Sequence, residues 1–125
     1  MLIFGFSFTA TAADWPHFLG PNQDLHSPET GLNLSFSAEG PPVVWEVERG
    51  KGHSGPVIAD GKLVFIHQVG EAEEIRCLDA LTGEEIWKHA YPVEVDQSYG
   101  IVDTPRSSPV IDPETGLVYT LGNDG

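Results

Sequence analysis

An internal repeat constrains this chain more than any other feature. Ser54-Gly55-Pro56-Val57-Ile58, a turn and Leu63-Val64-Phe65 recur as Ser107-Ser108-Pro109-Val110-Ile111, a turn and Leu117-Val118-Tyr119. Pro56 and Pro109 are 53 residues apart, whereas a second pair, Val44-Trp45-Glu46 and Ile86-Trp87-Lys88, is offset by 42. The difference lies between Trp87 and Pro109, which are 22 residues apart where Trp45 and Pro56 are 11 apart. We place this 11-residue insertion around residues 96–103. Self-similarity at such a period marks repeat architectures, in which each unit buries its apolar surface only against a neighbour. Insertions in such chains fall in loops on one face, often the binding face.

The units themselves read as short strands. Residues 43–48, 54–58, 63–67, 75–79 and 85–91 are rich in Val, Ile, Phe, Trp and Tyr. Gly50-Lys51-Gly52-His53, Asp60-Gly61, Gly70-Glu71-Ala72-Glu73 and Thr82-Gly83 separate them. Such runs bounded by Gly and Asp are strand signals, and Asp-Gly between apolar runs is a strong hairpin signal. The last four runs predict an antiparallel meander, and no amphipathic helical pattern competes with it. The fold class is therefore all-β. With 14 Gly and 10 Pro in 125 residues, the chain suits many short elements within one ordinary domain. Residues 14–42 are broken by Pro and Gly too often for a long helix or central strand. Trp15, Phe18 and Leu19 nonetheless offer apolar surface to pin that segment, which predicts a wrapped leader ahead of the repeats at 43–125.

Charge and targeting narrow the function classes. The formal charge is -13, from 6 Lys+Arg against 19 Asp+Glu, and there is no basic run. Phosphate backbones and anionic lipid surfaces both require clustered cations, so nucleic-acid binding is excluded as an expectation. Residues 1–13 resemble a signal peptide: an apolar stretch at 2–8 is followed by Ala10-Thr11-Ala12-Ala13, an A-x-A-like cleavage site. No Lys or Arg precedes the apolar stretch, and a buried N-terminal strand is the alternative. An exported protein, periplasmic or extracellular, is expected, without a transmembrane segment because no apolar run reaches the ~20 residues a span needs. Cys77 is the one cysteine. It has no internal disulfide partner and reads as a small packed side chain in a strand.

The stretch Cys77-Leu78-Asp79-Ala80-Leu81-Thr82-Gly83-Glu84-Glu85-Ile86-Trp87 carries its own physical logic. Asp79 and Thr82 are suited to bond backbone in a turn, and Gly83 to adopt a positive φ. The ring of Trp87 is then expected to cover the seam with a neighbouring unit, with ~150–250 Å² to bury, about 4–6 kcal/mol as an upper bound; Trp45 is counted in the same docking set. This stretch resembles the tryptophan-docking motif, A-x-D-x-x-T-G-x-x-x-W, of the pyrroloquinoline-quinone-like (PQQ-like) repeat β-propellers, with Cys77 in place of the first Ala. The leader at 15–21, Pro41-Pro42-Val43-Val44-Trp45, Tyr99-Gly100 and Pro105-Arg106-Ser107-Ser108-Pro109 are similar to exported bacterial members of that family. The resemblance implies four-stranded antiparallel blades, about seven or eight in a full ring. Residues 54–91 would form one blade and residues 107–121 half of the next. Residues 43–48 would be an outer strand completing another blade. The sequence closes on the turn signal Gly122-Asn123-Asp124-Gly125, from which an N-terminal piece of a longer propeller is expected.

For function, the resemblance implies an exported binding or scaffolding propeller, with other blades and a small ligand or protein on the propeller face as partners. One alternative is a PQQ-dependent quinoprotein dehydrogenase, oxidising alcohols or sugars with PQQ and calcium in the full-length protein. Another is a carbohydrate- or peptide-binding propeller. No vicinal cysteine pair is present, and no residue is assigned to catalysis or metal binding. Glu71, Glu73, Glu74, Glu84 and Glu85 fall at expected turns, where a solvated face accounts for them. The five His show no metal spacing. Gly50-Lys51-Gly52-His53-Ser54 lacks the spacing of a phosphate loop. His53 and Arg106, each just before the first strand of a repeat, are the candidates for the channel mouth. An arginine there is suited to bidentate carboxylate or phosphate binding, or to bridging blades through carbonyls.

Overall fold

The computed structural model describes residues 12–94 and 105–123. The expected apolar stretch at 2–8 and the insertion at 96–103 lie outside them. Six strands form: β1 (Val57–Ala59), β2 (Lys62–Val69), β3 (Ala72–Asp79), β4 (Glu85–Pro92), β5 (Val110–Ile111) and β6 (Val118–Tyr119). The first four make one antiparallel sheet in the order β1-β2-β3-β4, and β5-β6 is a two-stranded antiparallel sheet. There is no helix among the described residues.

The turns explain the meander. Ala59 pairs with Lys62 across Asp60-Gly61, where both residues have positive φ, 49° and 68°. That is the type I′ geometry, whose twist matches the flanking strands. Val69 pairs with Ala72 across Gly70-Glu71, with Gly70 at φ 61°, so β3 starts at Ala72 and the turn is shorter than the sequence suggests. Pro56 cannot donate to a ladder, and β1 begins only after it.

Both faces of β1–β3 are covered, and by different parts of the chain, whereas β4 is exposed along all but Tyr91. Val57, Ala59, Val64, Ile66, Ile75 and Cys77 alternate onto one face and form the core with Ile111 of β5, with Tyr91 and Val118 packed against it. On the other face Phe65, His67 and Leu78 are buried, beneath the chain that precedes β1. There Arg76 donates to the Glu48 carbonyl (3.4 Å) and stacks on Phe65, and the Gly50 N–H donates to His67 (2.7 Å). A strand buried on both sides has little use for polar alternation, which is why Leu63-Val64-Phe65-Ile66 is a continuous apolar run.

The leader ties the two repeats together. Trp15 exchanges backbone hydrogen bonds with Ile58 of β1 (2.7 and 2.9 Å), and the next residue, Pro16, accepts from the Ile111 N–H of β5 (2.8 Å). One segment thus satisfies backbone groups on the first strands of both repeats.

Two further expectations change. Residues 43–48 are not a strand. Among the described residues no strand lies alongside to pair their backbone, and Val43 and Val44 are 76% and 83% exposed. The carboxylates at 73 and 74 do not sit in solvated turns. Both are in β3, and Glu73 is fully buried, since alternation puts it on the same face as Ile75 and Cys77.

Candidate functional site

The turn between β3 and β4 is the best-defined constellation. Asp79 Oδ1 accepts from the N–H groups of Leu81 (2.9 Å) and Thr82 (2.8 Å) and from the Thr82 hydroxyl (3.1 Å). Gly83, at φ 75°, donates its N–H to the Asp79 carbonyl (2.8 Å). These bonds favour the charged carboxylate, and they hold Asp79 below the usual carboxylate range, the Thr82 backbone bond contributing most. The turn is rigid because a short side chain and a glycine satisfy it from within.

An indole lies on this turn, and it belongs to Trp45, 35 residues earlier. Its Nε1–H donates to the Ala80 carbonyl (3.1 Å), and its ring covers Gly83 so closely that a Cβ there would sit 2.7 Å from the ring. Trp45 is half-buried. The segment around it therefore docks through one side chain even though its backbone makes no strand.

The same turn is built a second time between β5 and β6. Asp112 accepts from the Thr115 hydroxyl (2.6 Å) and the Glu114 N–H (2.9 Å). Gly116, at φ 70°, donates to the Asp112 carbonyl (2.8 Å). Asp112 too is held low, chiefly by the Thr115 hydroxyl. No indole caps this copy, and a Cβ on Gly116 would meet nothing within 4 Å. Trp87, which pairs with Cys77 across β3-β4, lines a cleft of about 370 Å³ together with this turn. It remains 37% exposed. The cleft floor includes Ala59, Val64, Cys77, Ile111 and Val118, and Asp14, Asp60 and Glu114 stand around it. Cys77 is a free, buried thiol, its pKa pushed up by burial.

The segments that carry the two channel-mouth candidates meet through their backbones. The His53 N–H donates to the Pro105 carbonyl (2.8 Å), which places His53 against the residue preceding Arg106. Nearby, the Gly55 N–H donates to Ser108 Oγ (2.9 Å). His53 and Arg106 are both exposed. The loop carrying His53 is held by Arg49, whose guanidinium donates to the carbonyls of Gly52 (3.2 Å) and Ser54 (2.8 Å).

Two buried polar groups escaped the sequence reading. Glu73 accepts from the Tyr91 hydroxyl (2.9 Å) and from the Asn123 N–H (3.1 Å), so a side chain of the first repeat fastens the chain after β6. His67 is 3% exposed and joins Gly50 to Glu74. The signals were present: a lone His in an apolar run, and period-two spacing that aligns Glu73 with Ile75 and Cys77. The second turn was legible as well, since Asp112-Pro113-Glu114-Thr115-Gly116 repeats the D-x-x-T-G spacing of 79–83.

Among the described residues, no group of three or more His, Cys, Asp and Glu side chains is placed to hold a metal ion. Nor is any helix there long and apolar enough to cross a membrane. In comparisons with protein-family models, curated proteins and solved structures, none matched this chain.

Proposed function

We propose that this chain supplies blades to an exported PQQ-like repeat β-propeller whose role is binding or scaffolding rather than catalysis. The observation that carries the reading is the docking of Trp45 on the Asp79–Thr82–Gly83 turn. An indole from a segment outside the sheet that seats on a self-satisfied turn is a reusable joint between units, and repeat proteins take their stability from such nearest-neighbour joints. The covering of both faces of β1–β3 supports the same reading, because a blade packs on a neighbour at each side. Other blades are the first partners it implies, and a small ligand or protein on the loop face carrying His53 and Arg106 is the second.

Titration of the protein, as it is produced in cells, with PQQ and calcium tests this by calorimetry, alongside dye-linked oxidation of alcohols and sugars. We expect no saturable heat and no dye reduction. Saturable PQQ binding with turnover would replace the scaffolding role by a quinoprotein dehydrogenase.

A further inference from the structure

His67 lies in β2 with its ring inside the protein, and each ring nitrogen has a defined task. Nδ1 lies 2.7 Å from the Gly50 nitrogen. A backbone N–H only donates, so Nδ1 carries no proton there. The proton of the neutral ring is then on Nε2, which donates to Glu74 Oε1 at 3.3 Å. The next residue of the loop, Lys51, exchanges backbone hydrogen bonds with Gln68 (3.0 and 2.9 Å). The contact is close: a Cβ on Gly50 would fall on the Gln68 carbonyl oxygen. Beyond Lys51 the loop reaches Gly52, which is packed against Pro105, and His53, which donates to the Pro105 carbonyl.

We propose that His67 is a pH-operated latch, whose neutral ring holds the Gly50 backbone and whose protonation releases the 49–53 loop from the sheet and from Pro105. A proton on Nδ1 turns the acceptor into a second donor facing the Gly50 N–H, so that hydrogen bond is lost and two like dipoles oppose each other. The charged groups around the ring are Glu74 and Arg76 on β3, Lys88 on β4 and Arg49 in the loop itself. Glu74 favours the imidazolium, but Lys88 shares that carboxylate at 3.5 Å. Burial first, and then the two arginines, oppose the charge and hold His67 below the ordinary histidine range. The latch is therefore shut at neutral pH and opens only on acidification below the range in which an ordinary histidine titrates. Opening separates the loops that carry His53 and Arg106, which makes the exposed face around them pH-dependent. The geometry stands whether or not the repeats close into a propeller.

Amide hydrogen exchange by NMR on the full chain, from pH 7.5 downward until the His67 ring has titrated or the fold is lost, tests the latch together with the His67 ring nitrogen shifts; loss of the fold with the ring still neutral would overturn it. Protection factors are compared, because they remove the intrinsic pH dependence of exchange. We expect Gly50 and His53 to lose protection by about tenfold or more as His67 titrates, while Ile66 and Ile75 keep theirs. His67→Gln retains an acceptor oxygen without a titrating ring, and its Gly50 protection should not change over this range. Glu74→Gln removes the charge that favours the imidazolium and should move the release to lower pH. Titration of His67 with Gly50 still protected would overturn the proposal. So would an unchanged release in His67→Gln, or a release midpoint unmoved in Glu74→Gln.

Discussion

The two Asp-x-x-Thr-Gly turns are nearly identical in themselves and unlike in their surroundings. At 79–83 and at 112–116 an Asp carboxylate accepts from the turn backbone and from a Thr hydroxyl, and a Gly at φ 75° or 70° closes the bend. Over Gly83 lies the ring of Trp45, whereas among the described residues a Cβ on Gly116 would meet nothing within 4 Å. The turn's shape is thus a local product of its sequence, while its use as a joint depends on an indole from elsewhere. Local hydrogen bonds supply the geometry, and burial of the ring supplies most of the energy that makes the geometry matter.

Placing a methyl group on each glycine separates these contributions most sharply. Gly83→Ala strains a left-handed residue and also displaces the Trp45 ring, whereas Gly116→Ala incurs the backbone strain alone. We expect losses of about 3 and about 1 kcal/mol respectively in denaturant unfolding. Equal losses would show that Trp45 contributes nothing to the first turn.

Removing the rings gives the next largest effect. Trp45→Ala should cost about 2 kcal/mol, less than the ~3–5 of a fully buried aromatic because the ring is only half-buried. For Trp87→Ala, at the uncapped turn, about 1 kcal/mol or less is expected. If Trp87→Ala cost the more, the cleft beside β5-β6 would be a working joint and the comparison would invert. In a longer assembly, where a further unit covers Trp87, its loss should rise toward that of a buried ring.

Hydroxyl deletions are smaller and should fall evenly on the two turns. Thr82→Val and Thr115→Val each remove one hydroxyl bond to an Asp, at 3.1 and 2.6 Å. About 0.5–1 kcal/mol is expected from either, read by thermal melting. A marked inequality would mean that the Trp45 dock also tightens the hydrogen bonds beneath it.

The sequence carried those parts of the fold that neighbours along the chain decide. Asp60-Gly61 fixed a hairpin because both residues tolerate positive φ, and the apolar runs on either side of it marked its strands. The Asp79–Thr82–Gly83 turn was legible for the same reason. What escaped depends on partners distant in sequence. Residues 43–48 have strand composition, but a strand needs a second backbone, and among the described residues none runs alongside. Glu73 looked solvated because a charged residue in a Glu-rich stretch usually is. The period-two spacing places it on the face of Ile75 and Cys77, but its partners Tyr91 and Asn123, the latter 50 residues away, are revealed by no local pattern. The pairing of Trp45 with Gly83 is of the same kind: both residues stood out, but not that one rests on the other.

Acid titration probes the part the two turns share. Asp79 and Asp112 are both depressed by hydrogen bonds that only the carboxylate accepts fully. A carboxylate whose folded pKa lies below its unfolded value binds fewer protons in the native state, so stability rises with pH across the interval between the two values. The contribution is complete above the ordinary Asp value of 3.8 and is lost as pH falls through the folded value. Both groups are solvent-exposed, so each effect is small. Asp79→Asn and Asp112→Asn should each flatten the acid limb of a stability–pH curve below pH ~4, by similar amounts, and leave the curve above pH ~5 parallel to the parent's. Because the bonds to each Asp lie within its own turn, the double variant should flatten the limb by the sum of the two. A more than additive loss would mean that the clasped turn and the open one are coupled through the sheet between them, and the second turn would then belong to the same joint as the first.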